Sequence, residues 1–211
     1  MSTALQPGQH LLSAALAVAT RIAAETGEPP RLKTVAKALA VKPRAVKEVI
    51  PDRKHLLSIM AENAQRLLLH MATQRVAAVS CRCPINQFEA LADAYIEWAC
   101  DYPYEFHLIG AMSTGQLEAH PNLVRYRQSL HEVMYRILQR AKDEGLLASE
   151  DDPILLIAMS HTYAYGVISK MFTGDLARWN LGPSDREAAR HALRLFMDKC
   201  FRHQPLNARA A

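Results

Sequence analysis

Cysteine is scarce. There are four in 211 residues, too few for a disulfide-stapled scaffold. Glycine and proline number 8 and 11 and are scattered, which excludes a collagen-like repeat or a low-complexity linker. Strand-like alternation of apolar and polar residues is absent over any useful length. Lys and Arg are missing ahead of the apolar stretch at residues 11–20, LLSAALAVAT, so it lacks the basic start of a signal peptide. The uncharged run Pro153–Ser169 is slightly short for a membrane span, and it contains Ser160, His161, Thr162, Tyr163 and Tyr165. A cytoplasmic protein with reduced thiols is expected. Catalytic signatures are absent too: no H-E-x-x-H, G-x-S-x-G, P-loop or dinucleotide fingerprint. Nothing points to an enzyme, a cofactor or a metal.

What is present is helical periodicity and sorted charge. Half the residues are apolar and the net charge is +4, which suits a globular chain with a sizeable core. Residues 1–57 carry nine Lys/Arg against four Asp/Glu, and residues 31–54 alone hold eight against two. Residues 58–211 carry 16 against 17. A small basic module on a near-neutral body points to a polyanion for the module and a separate task for the body. The spacing predicts an all-α fold of nine helices. Three short ones come first, at about 9–25, 32–39 and 43–49. Six more follow, at about 52–78, 85–101, 103–115, 121–144, 153–173 and 184–201. Pro43 suits a first helical position and Asp52 a cap.

The second and third helices, joined by a tight turn at Ala40-Val41-Lys42, have the layout of a helix-turn-helix, whose second member enters the major groove. In Pro43–Val49, Val46 and Val49 can face inward while Arg44, Ala45 and Lys47 face out. From Leu32 to Leu57 the chain resembles TetR/AcrR-type transcriptional regulators. Val35-Ala36, Val41 and Pro51-Asp52-Arg53 with Leu56-Leu57 fit the family pattern. There are departures. Arg31 stands for a threonine, Ala40 for the turn glycine, Lys47 for a phosphate-touching tyrosine, and Val49-Ile50 for histidine-phenylalanine. If φ is positive at Ala40, alanine costs roughly 1 kcal/mol relative to glycine. Further on, Asp101–His107 before Leu108-Ile109, and Asp151-Asp152-Pro153 ahead of Tyr165-Gly166, are similar to the regulatory domain of one subgroup.

The resemblance implies a helix-turn-helix DNA-binding domain over 1–57 and a helical ligand-binding and dimerisation domain over 58–211. It implies a repressor that binds a palindromic operator in double-stranded DNA as a homodimer and releases it when a small, mainly apolar effector binds. Arg31, Lys33, Lys42, Arg44, Ala45, Lys47, Arg53 and Lys54 are the expected DNA contacts, with Arg44 placed to read a guanine. Trp98, Phe106, His107, Met112, Tyr126, Met134, Met159, His161 and Tyr163 are the candidate effector contacts. The long helix from Asp52 is the expected lever between the two. The helix at 153–173 is apolar nearly all round and so needs cover on both sides. A homodimer built through it and the helix at 184–201 supplies that cover.

Other groupings carry less. Cys81-Arg82-Cys83 brings two thiols close, a possible redox pair. Glu89, Asp93 and Glu97 line one helix face and read as a solvated edge. His161, polar on an apolar helix, is either a ligand anchor or a core histidine bonded to a carbonyl. The departures in the helix-turn-helix keep an alternative open: a dimeric small-molecule-binding or protein-interaction protein that has lost specific DNA binding.

Overall fold

A computed structural model describes residues 7–80, 82–179 and 182–201. The described residues form ten α-helices and one 3-10 turn. In order these are α1 (Pro7–Thr26), α2 (Leu32–Ala38), α3 (Pro43–Val49), α4 (Arg53–Ala78), α5 (Pro84–Asp101), α6 (Pro103–Gly110), α7 (Thr114–Glu118), α8 (Pro121–Asp143), α9 (Pro153–Phe172), the turn at Ala177–Trp179, and α10 (Asp185–Phe201). None of these helices is long and apolar enough to cross a membrane.

Local chemistry sets most of these boundaries. Proline occupies the first turn of α3, α6 and α9, where its missing N–H costs nothing. The Asp52 carboxylate accepts from the His55 amide at 2.7 Å and caps α4. Asp152 accepts from the Ile154 amide at 2.9 Å at the start of α9, and Ser184 accepts from the Glu187 amide at 3.3 Å at the start of α10. The stretch expected as one helix at 103–115 divides in two. Ser113 and Gln116 form a reciprocal capping box that starts α7 afresh. Seven helices therefore follow the front three.

Helix ends follow a common rule with one exception. Gly27, Gly145 and Gly174 take φ of 72°, 70° and 68°, the left-handed exit that glycine makes freely. Ala40 takes φ of 53° and is the non-glycine residue with positive φ among those described. There the Val41 amide donates to the Ala36 carbonyl at 3.0 Å and the Ala40 amide to Lys37 at 3.1 Å. That is a complete Schellman closure of α2, so the turn of the helix-turn-helix is made with the wrong residue and the right hydrogen bonds.

The chain divides into two compact units. One holds the described residues through Leu67 together with Cys100–Tyr126; the other holds Leu68–Ala99 and the described residues from Arg127 onward. In the first, Val35, Ala36, Val46, Ile50, Leu56 and Met60 are fully buried against Ala15, Ala19 and Ala23 of α1. Burying Val46, Ile50 and Leu56 contributes roughly 1.5–3 kcal/mol each. In the second, Ala72, Phe88, Leu91, Ile137, Leu138, Ile157, Met197 and Phe201 share one core. The expected inward stripe of α8 holds: Ile137, Leu138 and Ala141 are buried, with Leu130, Val133 and Met134 packed beside them. On α4 the buried line runs through Leu56, Met60, Ala64, Leu68 and Ala72, leaving the expected Leu67 and Met71 half-buried.

Candidate nucleic-acid interface and effector anchors

The element expected to read DNA is α3. Val46 anchors it from below, and the amide of Ile50 closes it by donating to Val46 at 2.8 Å. Ile50 is itself fully buried and Val49 half-buried in the same core. The Val49-Ile50 departure thus falls on packing positions.

The opposite face is cationic and open. Arg31, Lys33, Lys42, Arg44, Lys47, Arg53 and Lys54 are all exposed, while Ala45 is half-buried. Arg31 and Lys42 occupy the N-cap positions of α2 and α3, where neither makes a side-chain cap. A cation at that end opposes the helix dipole and costs a few tenths to 1 kcal/mol. Arg44 reaches along α3 to Glu48 at 3.4 Å, with 91% of its side chain exposed. Among the described residues, Arg31, Lys33, Lys42, Lys47, Arg53 and Lys54 have no carboxylate partner.

The second unit treats its cations differently. Arg75 meets Glu97 at 2.5 Å, Arg190 meets Glu97 at 3.4 Å, and Arg194 meets Asp93 at 3.8 Å. Arg136 pairs with Glu132 at 2.6 Å and Lys170 with Asp175 at 2.6 Å. The acidic line on α5, expected as a solvated edge, is therefore a ladder tying α5 to α4 and α10. An open cleft of about 220 Å³ lies along it, lined by Asp93, Arg190, Leu193 and Met197 among others. No group of three or more His, Cys, Asp or Glu among the described residues is placed to hold a metal. Cys83, Cys100 and Cys200 are in no disulfide; Cys81, the other half of the suggested redox pair, lies outside the described residues.

The candidate effector contacts fall in both units. Phe106, His107, Met112 and Tyr126 belong to the first, and Trp98, Met134, Met159, His161 and Tyr163 to the second. Within the second, His161 of α9 stacks on Tyr95 of α5 at 6.0 Å between ring centroids, and Tyr95 stacks on Trp98 at 5.7 Å. His161 is exposed, yet desolvation by the rings and helices packed around it, with a smaller push from Arg127, lowers its pKa from the ordinary value. Burial likewise drives the Tyr95 hydroxyl well above the usual phenol range. Tyr95 is absent from the candidates read from the sequence, although it lies three residues before Trp98 on one face of α5. Trp98 and Phe106 are buried, whereas His107 is exposed. Tyr163 stacks on Phe196 of α10 at 4.4 Å. Met159 and Tyr163 are 46% and 38% exposed, alongside Ile154, Leu155 and, on α10, Leu195.

The comparisons with known proteins agree with this layout. Residues 88–196, just over half the chain, match the family model described as "Tetracyclin repressor-like, C-terminal domain". No curated protein sequence matches. Among solved structures, a protein of unknown function from Rhodococcus sp. RHA1 superposes with a TM-score of 0.75 at 21% identity, covering 93% of this chain and 100% of that one. A TetR-family transcriptional regulator from Agrobacterium tumefaciens gives 0.68 at 11% identity, covering 92% and 99%. The TetR-family regulator PfmR from Thermus thermophilus gives 0.60 at 16%, covering 92% and 97%. At these identities the likeness is one of fold. Taken with the family model, it establishes that the chain belongs to the TetR family of transcriptional regulators.

Proposed function

We propose that the protein is a ligand-responsive repressor that binds a palindromic operator as a homodimer. In this reading residues 1–57 bind DNA, while 58–211 bind effector and partner. The observation that carries it is the sorting of charge. Arg31, Lys33, Lys42, Lys47, Arg53 and Lys54 stay exposed and without carboxylates, and Arg44 meets only Glu48 of its own helix, while several arginines of the second unit pair with carboxylates, Arg75, Arg190 and Arg194 across helices. Leaving Arg31 and Lys42 at helix N-caps weakens the helices they start. Phosphates offset that cost. Lys33, Lys47, Arg53 and Lys54 position the duplex, and Arg44 swings from Glu48 to a guanine edge.

Dimer formation rests on the exposed apolar residues Ile154, Leu155, Met159 and Tyr163 of α9 with Leu195 of α10. In a monomer such a face would lie open to water. The effector is a small, mainly apolar molecule. Trp98 and His161, with Tyr95 between them, are its anchors in the second unit, with Met134 a further contact; Phe106, His107, Met112 and Tyr126 fall in the other unit and Met159 and Tyr163 in the exposed apolar face, so they are left out of this site. Its binding shifts α4 and with it the spacing of the two recognition helices, which must lie about 34–36 Å apart. A target in DNA places the protein in the cytoplasm.

Selection of binding fragments from sheared genomic DNA of the source tests the reading. Enrichment of a palindrome, with affinity falling steeply with salt, is the expected result. Six to ten phosphate contacts correspond to a log–log slope of about −5 to −9. Weak, sequence-blind binding throughout would refute it and favour a protein whose helix-turn-helix no longer recognises an operator.

A further inference from the structure

Glu105, the third residue of α6, is completely buried in the unit that carries the recognition helix. Neither of its carboxyl oxygens has a hydrogen-bond partner of good geometry. An ionised carboxylate in that position is among the costliest groups a protein can bury, and such a group keeps its proton instead. Burial pushes its pKa up from the ordinary 4.5, opposed by its own backbone N–H and the nearby Thr20 hydroxyl of α1.

The surroundings make this residue a joint. Helix α6 packs on α1, and α1 packs on both α2 and α3. Thr20 faces Glu105 from α1. Tyr102 and Tyr104 feel its charge, and those two tyrosines also feel Arg66 and Arg53 of α4, Glu28 of the α1–α2 loop and Asp101 of α5. A negative charge at Glu105 would therefore disturb the seat of the helix that supports the helix-turn-helix, one side chain away from Arg53.

We propose that Glu105 is a proton-operated latch in the DNA-binding unit. With its carboxyl neutral, α6 stays seated on α1 and the helix-turn-helix keeps the shape that grips DNA. When the proton leaves to solvent, the buried charge unseats α6 and the grip weakens. The folded chain holds this proton more tightly than the unfolded chain. Stability is thus full below about pH 4.5 and is lost as pH rises to the folded value. Over that window the seated form loses up to tenfold per pH unit relative to the unseated one.

The test compares wild type with Glu105→Gln, which keeps the shape and removes the ionisation. Urea midpoints from about pH 4 to 9 should fall with rising pH for wild type and stay flatter for the variant, the two drawing together at the acid end. Affinity for the duplex chosen by genomic selection, at fixed salt, should weaken with pH in wild type relative to the variant. Parallel profiles would overturn the latch. Should Glu105→Gln not fold, the assigned Glu105 carboxyl carbon of 13C-labelled wild type is titrated by NMR; a midpoint at the ordinary 4.5 overturns it equally, and a raised one supports it. The DNA arm rests on the regulator reading and the urea arm does not. A chain with the pH difference but no operator sinks that reading and keeps only the proton-linked seating of α6 on α1.

Discussion

Replacing Ala40 with glycine should make the protein more stable, although it removes a methyl group. Ala40 ends α2 at φ 53°, and a left-handed conformation costs an L-residue about 1–2 kcal/mol. Its side chain is exposed, so little contact is lost with the methyl. Against this, glycine adds roughly 0.4–1 kcal/mol of unfolded-state entropy. The balance is a gain of about 1 kcal/mol, or about 2–4 °C in Tm for a chain of this size. The Val41-to-Ala36 and Ala40-to-Lys37 hydrogen bonds are made by backbone and survive the change. Urea unfolding followed by circular dichroism measures the effect, with the slope m unchanged and the midpoint raised. Ala40→Val is the control: a β-branched residue tolerates positive φ poorly, so its midpoint should drop. A glycine variant equal to or weaker than wild type would refute the reasoning, since it would mean that the turn stores no strain.

Arg44→Ala should relax operator preference by about 1–3 kcal/mol at one position while leaving the free energy of unfolding within about 0.5 kcal/mol of wild type; competition binding against mutated duplexes reads the first and urea unfolding the second. If the proposed dimer forms through this face, wild type sediments as a dimer and Leu155→Glu or Met159→Glu as a monomer in analytical ultracentrifugation, because both side chains stand in the exposed apolar face. The surroundings of His161 lower its pKa in the fold from 6.5. Its stability contribution is full above that pH and shrinks as pH falls through 6.5 towards the folded value. His161→Phe should therefore lose less stability than wild type between about pH 8 and 5, and identical thermal melts across that range would count against the effect.

Much of this architecture is legible in the sequence because the punctuation is strong. Pro43, Asp52, Gly27, Gly145 and Asp152 each start or stop a helix where their own chemistry says they should. The break between α6 and α7 is equally available: Ser113 and Gln116 have capping-box spacing, hidden amid the apolar residues around them. Other features depend on distant partners. The Glu89, Asp93 and Glu97 line looks solvated until Arg190 and Arg194 arrive from α10. The burial of Glu105 depends on α1, and a glutamate in the first turn of a helix ordinarily faces water. The aromatic and methionine residues gathered as effector contacts share a composition but fall in two units, a division that side-chain type alone does not reveal.

The two populations of cations will answer salt in opposite senses of importance. Close, partly shielded pairs such as Arg190 with Glu97 are poorly screened, whereas open Lys and Arg on the α2–α3 face feel the full ionic atmosphere. A preparation washed at high ionic strength should therefore keep its fold while shedding whatever polyanion it carried out of the cell. The absorbance ratio at nucleic-acid and protein wavelengths before and after that wash would give an early, label-free view of which face had been occupied.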